Sequence, residues 1–162
     1  MNTETQQIPA KPRPPKELAR SVAHLLKRLG FSVKERSVEA FEGTDLGPGH
    51  YSVLVLLEEE PRETQAQIAD ALGFDRSHLV GVLDELEERG YIERRRDPDD
   101  RRRHLVSLTA DGKSKLEELR SLVKQVEDEF LAPLDADQRR QLHELLLLLA
   151  THHYPRYAGC AD

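Results

Sequence analysis

YIERRRDPDDRRRHLVSLT, residues 91–109, decides how the rest of the chain is read. It divides into a short strand, a turn in which Asp97, Asp99 and Asp100 stand among arginines, and a second strand. A helix ending at Arg89-Gly90 leads straight into it. A helix followed by an arginine-tipped hairpin suits a grip on duplex DNA, with the helix in the major groove and the hairpin reaching sideways to phosphates and the minor groove. The stretch gathers Arg94, Arg95, Arg96, Arg101, Arg102 and Arg103 in a chain whose formal net charge is −6. Such a chain is no general polycation, so nucleic-acid binding has to come from a local patch with a limited number of phosphate contacts. A salt-bridged, solvated hairpin is the plain structural alternative.

Upstream, RSHLVGVLDELEER continues from Asp75, a good N-cap residue, and Leu79, Val82, Leu83 and Leu86 form an inward stripe. Gly90 stands where a left-handed cap is expected. Before it, Thr64 and Gln67 make a capping-box pattern that opens the short helix QAQIADAL, which stops at Gly73, with Phe74 filling the turn. Two helices joined by a tight glycine-containing turn are a helix-turn-helix, and the hairpin makes it a winged one. His50 to Glu59, with Tyr51, Val53, Leu54, Leu56 and Leu57, reads as a more buried helix closed by Pro61, and EGTDLGPG (42–49) as a loop. Leu18, Val22, Leu25, Leu26, Leu29 and Val33 fall at helical spacing and predict one long amphipathic helix from Pro15 to about Phe41.

Downstream, Thr109 and Asp111 mark a helix start, and Leu116, Leu119, Leu122, Val123, Val126 and Phe130 follow one face until Pro133. A last helix starts at Asp135 or Asp137, and its LHELLLLLA segment, apolar nearly all round, reads as buried. The expected fold is mainly α with a small β wing. A disordered arm (1–14) precedes a dimerisation helix (15–41) and a winged helix-turn-helix domain (46–109). Two further dimerisation helices (110–153) and a tail (154–162) follow.

At 162 residues, with 33% charged, 38% hydrophobic and 5% aromatic residues and no Trp, the chain suits a helical protein that completes its core by pairing with a second copy. Cys160 is the only cysteine, which excludes an internal disulfide and fits a reducing cytoplasm. The beginning, MNTETQQIPAKPRPPKE, has no apolar signal core, and the longest apolar run, Leu145 to Ala150, is far below the ~20 residues of a membrane span. A soluble cytoplasmic protein without membrane contact is expected. No glycine-rich cofactor loop, nucleophile elbow or metal-ligand motif is present, so the expectation is no enzyme, no catalytic residue and no cofactor. His143, His152 and His153 lack the converging spacing of a zinc site, and His152-His153 suit a helix end whose dipole favours cations.

Arg76, Ser77, His78, Val80 and Gly81 are expected on the solvent side of the second helix of the helix-turn-helix. Ser and His can exchange hydrogen bonds with base edges, and Arg76 can pair with a guanine or a phosphate. Gly81 in mid-helix costs about 1 kcal/mol against Ala, which suggests a use: close approach to DNA or close helix packing.

With these residues in place, the sequence resembles the MarR family (multiple-antibiotic-resistance-type regulators), dimeric winged helix-turn-helix proteins. The likeness runs from about Lys16 to His153. It is most specific in DDRRRHLVSLTADG, which fits the family's wing signature of Asp-x-Arg, an apolar strand, and Leu-Thr-x-x-Gly. Leu46 with HYSVLVLL, and LDELEERGYIERR, are similar to further family patterns. The resemblance implies that Asp75 to Gly81 face the major groove. It implies that Arg102 enters the minor groove, held by Asp100, with Arg95, Arg96, Arg101 and Arg103 as further wing contacts. Where many relatives carry a polar or basic pair, this chain has Val80-Gly81. Base readout then rests on Arg76, Ser77 and His78, with Val80 available to a thymine methyl. The implied function is a homodimeric repressor on a pseudo-palindromic operator, half-sites ~10 bp apart, released by a small aromatic or lipophilic effector. His24, Phe31, His50 and Tyr51 are the effector candidates the resemblance brings forward. The alternative is a winged-helix interaction or dimerisation module without DNA binding.

Overall fold

A computed structural model describes residues 13–59, 63–98, 100 and 104–158. The chain falls into two compact units, Met1–Glu35 and Arg36–Asp162. In the first, α1 (Lys16–Arg20) and the beginning of α2 (Val22–Phe41) replace the single helix expected from Pro15. The break is at Ser21, which turns extended (φ −83°, ψ 115°) and lets its hydroxyl accept from the His24 N–H at 3.2 Å. A serine inside an apolar helical rhythm has thus acted as a cap. Leu18, Val22, Leu25, Leu26, Leu29 and Phe31 of this unit are all exposed.

The second unit contains the core. α3 (Pro48–Glu59) starts two residues earlier than expected, with Pro48 and Gly49 inside the helix instead of in the loop. Proline's fixed φ and missing N–H suit a first helical position. The expected stop at Pro61 lies outside the described residues. α4 (Gln65–Leu72) carries the full capping box between Thr64 and Gln67 and ends on Gly73 at φ 66°. α5 (Arg76–Glu88) buries Leu79, Val82, Leu83 and Leu86, and Gly90 takes φ 74°.

The wing is β2 (Ile92–Arg96) against β3 (His104–Leu108), antiparallel, in register from Ile92↔Leu108 to Arg96↔His104. A two-residue strand that sequence reading did not anticipate, β1 (Glu63–Thr64), pairs with the other edge of β3, so the sheet has three strands in the order β1-β3-β2. Ile92 and Val106 root the hairpin in a core with Val53, Leu54, Leu57, Ile68, Leu79, Leu83, Leu86, Leu116 and Leu119.

The hairpin is closed at its base by the Leu-Thr-x-x-Gly segment. Thr109 caps α6 (Ala110–Phe130) by accepting from the Gly112 N–H at 3.0 Å. Its hydroxyl also lies 2.7 Å from the Gly90 carbonyl and 3.1 Å from that of Tyr91, and its own N–H donates to Tyr91 O at 3.0 Å. Gly112 is buried, and a Cβ there would stand 2.0 Å from the Tyr91 carbonyl oxygen. No side chain fits, so the motif's Thr and Gly are both dictated by the knot that joins the end of α5 and β3 to α6.

α7 (Ala136–His153) is capped by Asp135, paired reciprocally with Gln138. It buries none of its residues, and Leu145 and Leu148 are 61% and 68% exposed. Burial expected for LHELLLLLA is therefore absent within one chain. The tail beyond α7 is also less detached than expected. Pro155–Tyr157 form a 3₁₀ turn, and Arg156 donates to the Asp70 carbonyl at 3.0 Å beside Gly73. Cys160 and residues 1–12 lie outside the described residues.

Candidate nucleic-acid interface

The outward face of α5 is built by its cap. Asp75 Oδ1 accepts from the His78 N–H at 2.8 Å and from the Ser77 hydroxyl at 2.6 Å. The Ser77 hydroxyl first, and the His78 N–H second, hold the Asp75 carboxyl below its usual pKa. Asp75 is thus a structural anion at the helix start, where the dipole favours it. The Ser77 hydroxyl retains its acceptor lone pairs for a base or phosphate. The His78 ring packs edge-on against Phe74, centroids 5.1 Å apart, and this contact orients it.

Arg76 is exposed and makes no side-chain hydrogen bond or ion pair among the described residues. With Gln65, Ala66, Leu79 and Val80 it borders an open hollow of about 320 Å³ between α4 and α5. Val80 is exposed, whereas its neighbour Leu79 is buried. Gly81 is exposed, and a Cβ there would meet no atom within 4 Å. Within the described fold nothing packs closely enough against Gly81 to need its bareness.

The wing arginines, alike in sequence, separate in the structure. Arg94 turns inward to α5, its Nη2 at 2.5 Å from Asp84 and its Nε at 3.4 Å from Glu87. Arg95 points to solvent with Glu93 beside it at 2.9 Å, an exposed pair worth little. Arg96 is exposed and makes no ion pair among the described residues. The Asp100 N–H donates to Asp97 Oδ1 at 3.4 Å. Arg101, Arg102 and Arg103, and with them the expected Asp100–Arg102 pairing, lie outside the described residues. Sequence reasoning treated Arg94 as one more tip charge, and only the strand register distinguishes it.

Two of the four effector candidates belong to each unit. His24 is half-buried and Phe31 exposed, both on α2 in the first unit. In the second unit, His50 borders a hollow of about 390 Å³ with Val38, Phe41, Leu46 and Glu85. Tyr51 stacks edge-on against Phe41 and borders another, of about 270 Å³, with Val55, Leu56 and Leu72. His50 is itself committed. Its Nδ1 accepts from the Gly47 N–H at 2.9 Å and its Nε2 lies 3.1 Å from Glu85 of α5. Burial, aided by Arg89, lowers its pKa against the opposing pull of Glu85. A larger groove of about 510 Å³ lies between α2 and α6, bordered by Arg36, Ala40, Leu122 and Val126. Sequence reading had not singled it out. Among the described residues no cluster of His, Cys, Asp and Glu could hold a metal ion, and no helix is long and apolar enough to cross a membrane.

Comparison with known proteins agrees with this geometry. The MarR family model matches residues 46–104, the winged helix-turn-helix itself. The chain is 33% identical over 128 residues to a protein of Thauera aromatica assigned as the transcriptional regulatory protein for the hcr operon, covering 73% of this chain and 76% of that one. Among solved structures it is similar to the transcriptional repressor CouR bound to a 23-mer DNA duplex. The TM-score is 0.78 and the identity 35%, over 86% of this chain and 99% of CouR. It is also similar to CouR from Rhodococcus jostii RHA1 bound to p-coumaroyl-CoA, with TM-score 0.71 and 31% identity over 85% of this chain and 95% of that one. Fold, capped recognition helix, wing knot and relatives agree, and the chain belongs to the MarR family of transcriptional regulators.

Proposed function

We propose that this regulator works in the cytoplasm as a homodimeric repressor that binds a pseudo-palindromic operator and releases it on binding a small aromatic or lipophilic molecule. In this reading Arg76, Ser77, His78, Val80 and Gly81 face the major groove, and Arg95, Arg96 and Arg101 to Arg103 of the wing reach phosphates and the minor groove, with Asp100 orienting Arg102. The observation that carries it is the outer face of α5. Four apolar side chains anchor the helix inward, while Arg76, Val80 and Gly81 stand exposed. CouR, 35% identical, is bound to a duplex.

Pairing is supported by the exposed leucines of α7 and, separately, by those of the first unit. Apolar stripes of this kind are what an obligate dimer covers. CouR's binding of p-coumaroyl-CoA supports an aromatic effector here. The test is selection of duplexes from a random-sequence pool by the purified protein, with its mass measured by light scattering. Two-fold symmetric sites and a dimer mass are expected; failure to enrich any sequence at low salt refutes the reading. Loss of the selected duplex on adding aromatic acids or their CoA thioesters would establish the effector class.

A further inference from the structure

We infer that Arg94 is a positioning residue that fixes the angle between the wing and the recognition helix without touching DNA. The inference rests on the DNA-binding reading above and adds to it a residue that the reading does not use.

The wing is rooted by Ile92, 2% exposed, and by Val106, 0% exposed. Arg94 is paired with Val106 across the sheet, one step further out. Beyond it Arg95 and Arg96 are exposed, so Arg94 is the outermost residue of β2 that the body of the protein holds. Its side chain is 19% exposed and spans to two carboxylates one helical turn apart on α5, Asp84 and Glu87. Its Nε is buried and lacks a hydrogen-bond acceptor of good geometry, so its interaction with Glu87 is an ion pair only. A guanidinium serves here because its planar fork can engage two acids at once, which the point charge of a lysine cannot do in the same way. The connection is placed to set direction. It ties the first wing strand to the rear half of the helix whose front half carries Arg76 to Gly81. With Arg94 in place, helix and wing reach DNA as one rigid body. Without it the hairpin pivots on Ile92 and Val106, and binding has to restrict that motion.

The experiment uses the full-length protein and a duplex it has itself selected from a random pool. Affinities of wild type, Arg94→Met and the double variant Asp84→Asn/Glu87→Gln are measured by anisotropy across a salt series. Arg94→Met is expected to bind about tenfold more weakly with an unchanged salt slope, because no phosphate contact is lost. The acid-to-amide variant removes two negative charges near DNA. A simple field effect predicts tighter binding, whereas the strut predicts weaker binding, and combining both changes should add nothing further. Asp84 and Glu87 are 51% and 41% exposed, so this variant keeps the test open if Arg94→Met does not fold. Unchanged affinity, tighter binding by the amide variant, or a salt slope shallower by about one contact in Arg94→Met would overturn the inference. A wild type that selects no duplex refutes the DNA-binding reading instead.

Discussion

Two glycines mark the opposite characters of the winged domain. Gly112, at the base of the wing, is buried so closely that a single added carbon would stand 2.0 Å from a backbone carbonyl. Gly81, on the outer face of α5, has no atom within 4 Å of that position apart from its immediate neighbours and its own helix backbone. The first glycine is explained entirely by the fold. The second is not, and its cost of about 1 kcal/mol in helix stability points to something outside the chain. In the function proposed above, that is the side on which DNA comes close.

The comparison can be broken from either side. Gly112→Ala should be the most damaging single change, destabilising by about 3–5 kcal/mol or preventing folding, because the obstacle is backbone and not a side chain that can swing away. A denaturant midpoint within error of wild type would show that the knot is looser than described. On the exposed side, Leu148→Glu in α7 should convert a dimer to a monomer in light scattering at micromolar concentration; a dimer mass would place the pairing surface elsewhere. Thr109→Ala leaves the crowding at Gly112 but removes the cap and the hydroxyl's bonds to Gly90 and Tyr91, and should lower stability by about 1–2 kcal/mol.

His50 tests the inner side of α5, where it meets Glu85. Its pKa is lowered in the folded protein, so the unfolded chain takes up protons first as the pH falls. The stability it supports is complete above about pH 6.5 and declines below that, through the lowered folded value. In His50→Asn, whose side-chain oxygen can accept from the Gly47 N–H, the decline below about pH 6.5 should be shallower than in wild type. Parallel pH profiles would remove His50 from the account. Smallest in stability is Gly81→Ala, expected to raise it by about 0.5–1 kcal/mol. The same variant should lose several-fold in affinity for the selected duplex. A gain in stability with unchanged binding would separate Gly81 from the DNA face.

Much of this was legible before any coordinates. Thr64 with Gln67, Asp75, Gly73 and Gly90 each act within three or four residues, so local chemistry identified the ends of α4 and α5. The inward stripe of Leu79, Val82, Leu83 and Leu86 and the arginine-rich hairpin placed the helix-turn-helix and its wing. What escaped has a common physical cause: it depends on residues distant in sequence. β1 has two residues, too few for any alternation, and exists because β3 offers an edge. Arg156 reaches a carbonyl 86 positions away. Arg94 cannot be told from Arg95 or Arg96 until the register turns it toward Asp84. The leucines of α7 look buried by composition, and only the single chain shows that their cover must come from elsewhere. Ser21 and Pro48 are local signals overlooked: a serine within an apolar rhythm reads equally as a helix residue or a cap, and a proline beside glycines reads equally as loop or as a first helical position.

The fastening of the hairpin has a consequence for protein engineering. The fastenings described above, from the Thr109–Gly112 knot through Ile92 and Val106 to Arg94, lie on the body side of the Arg96↔His104 pair. An exchange of the seven residues between that pair, 97–103, for those of another regulator would leave each of these fastenings with its own residues. Target preference could in this way be retuned on a constant chassis.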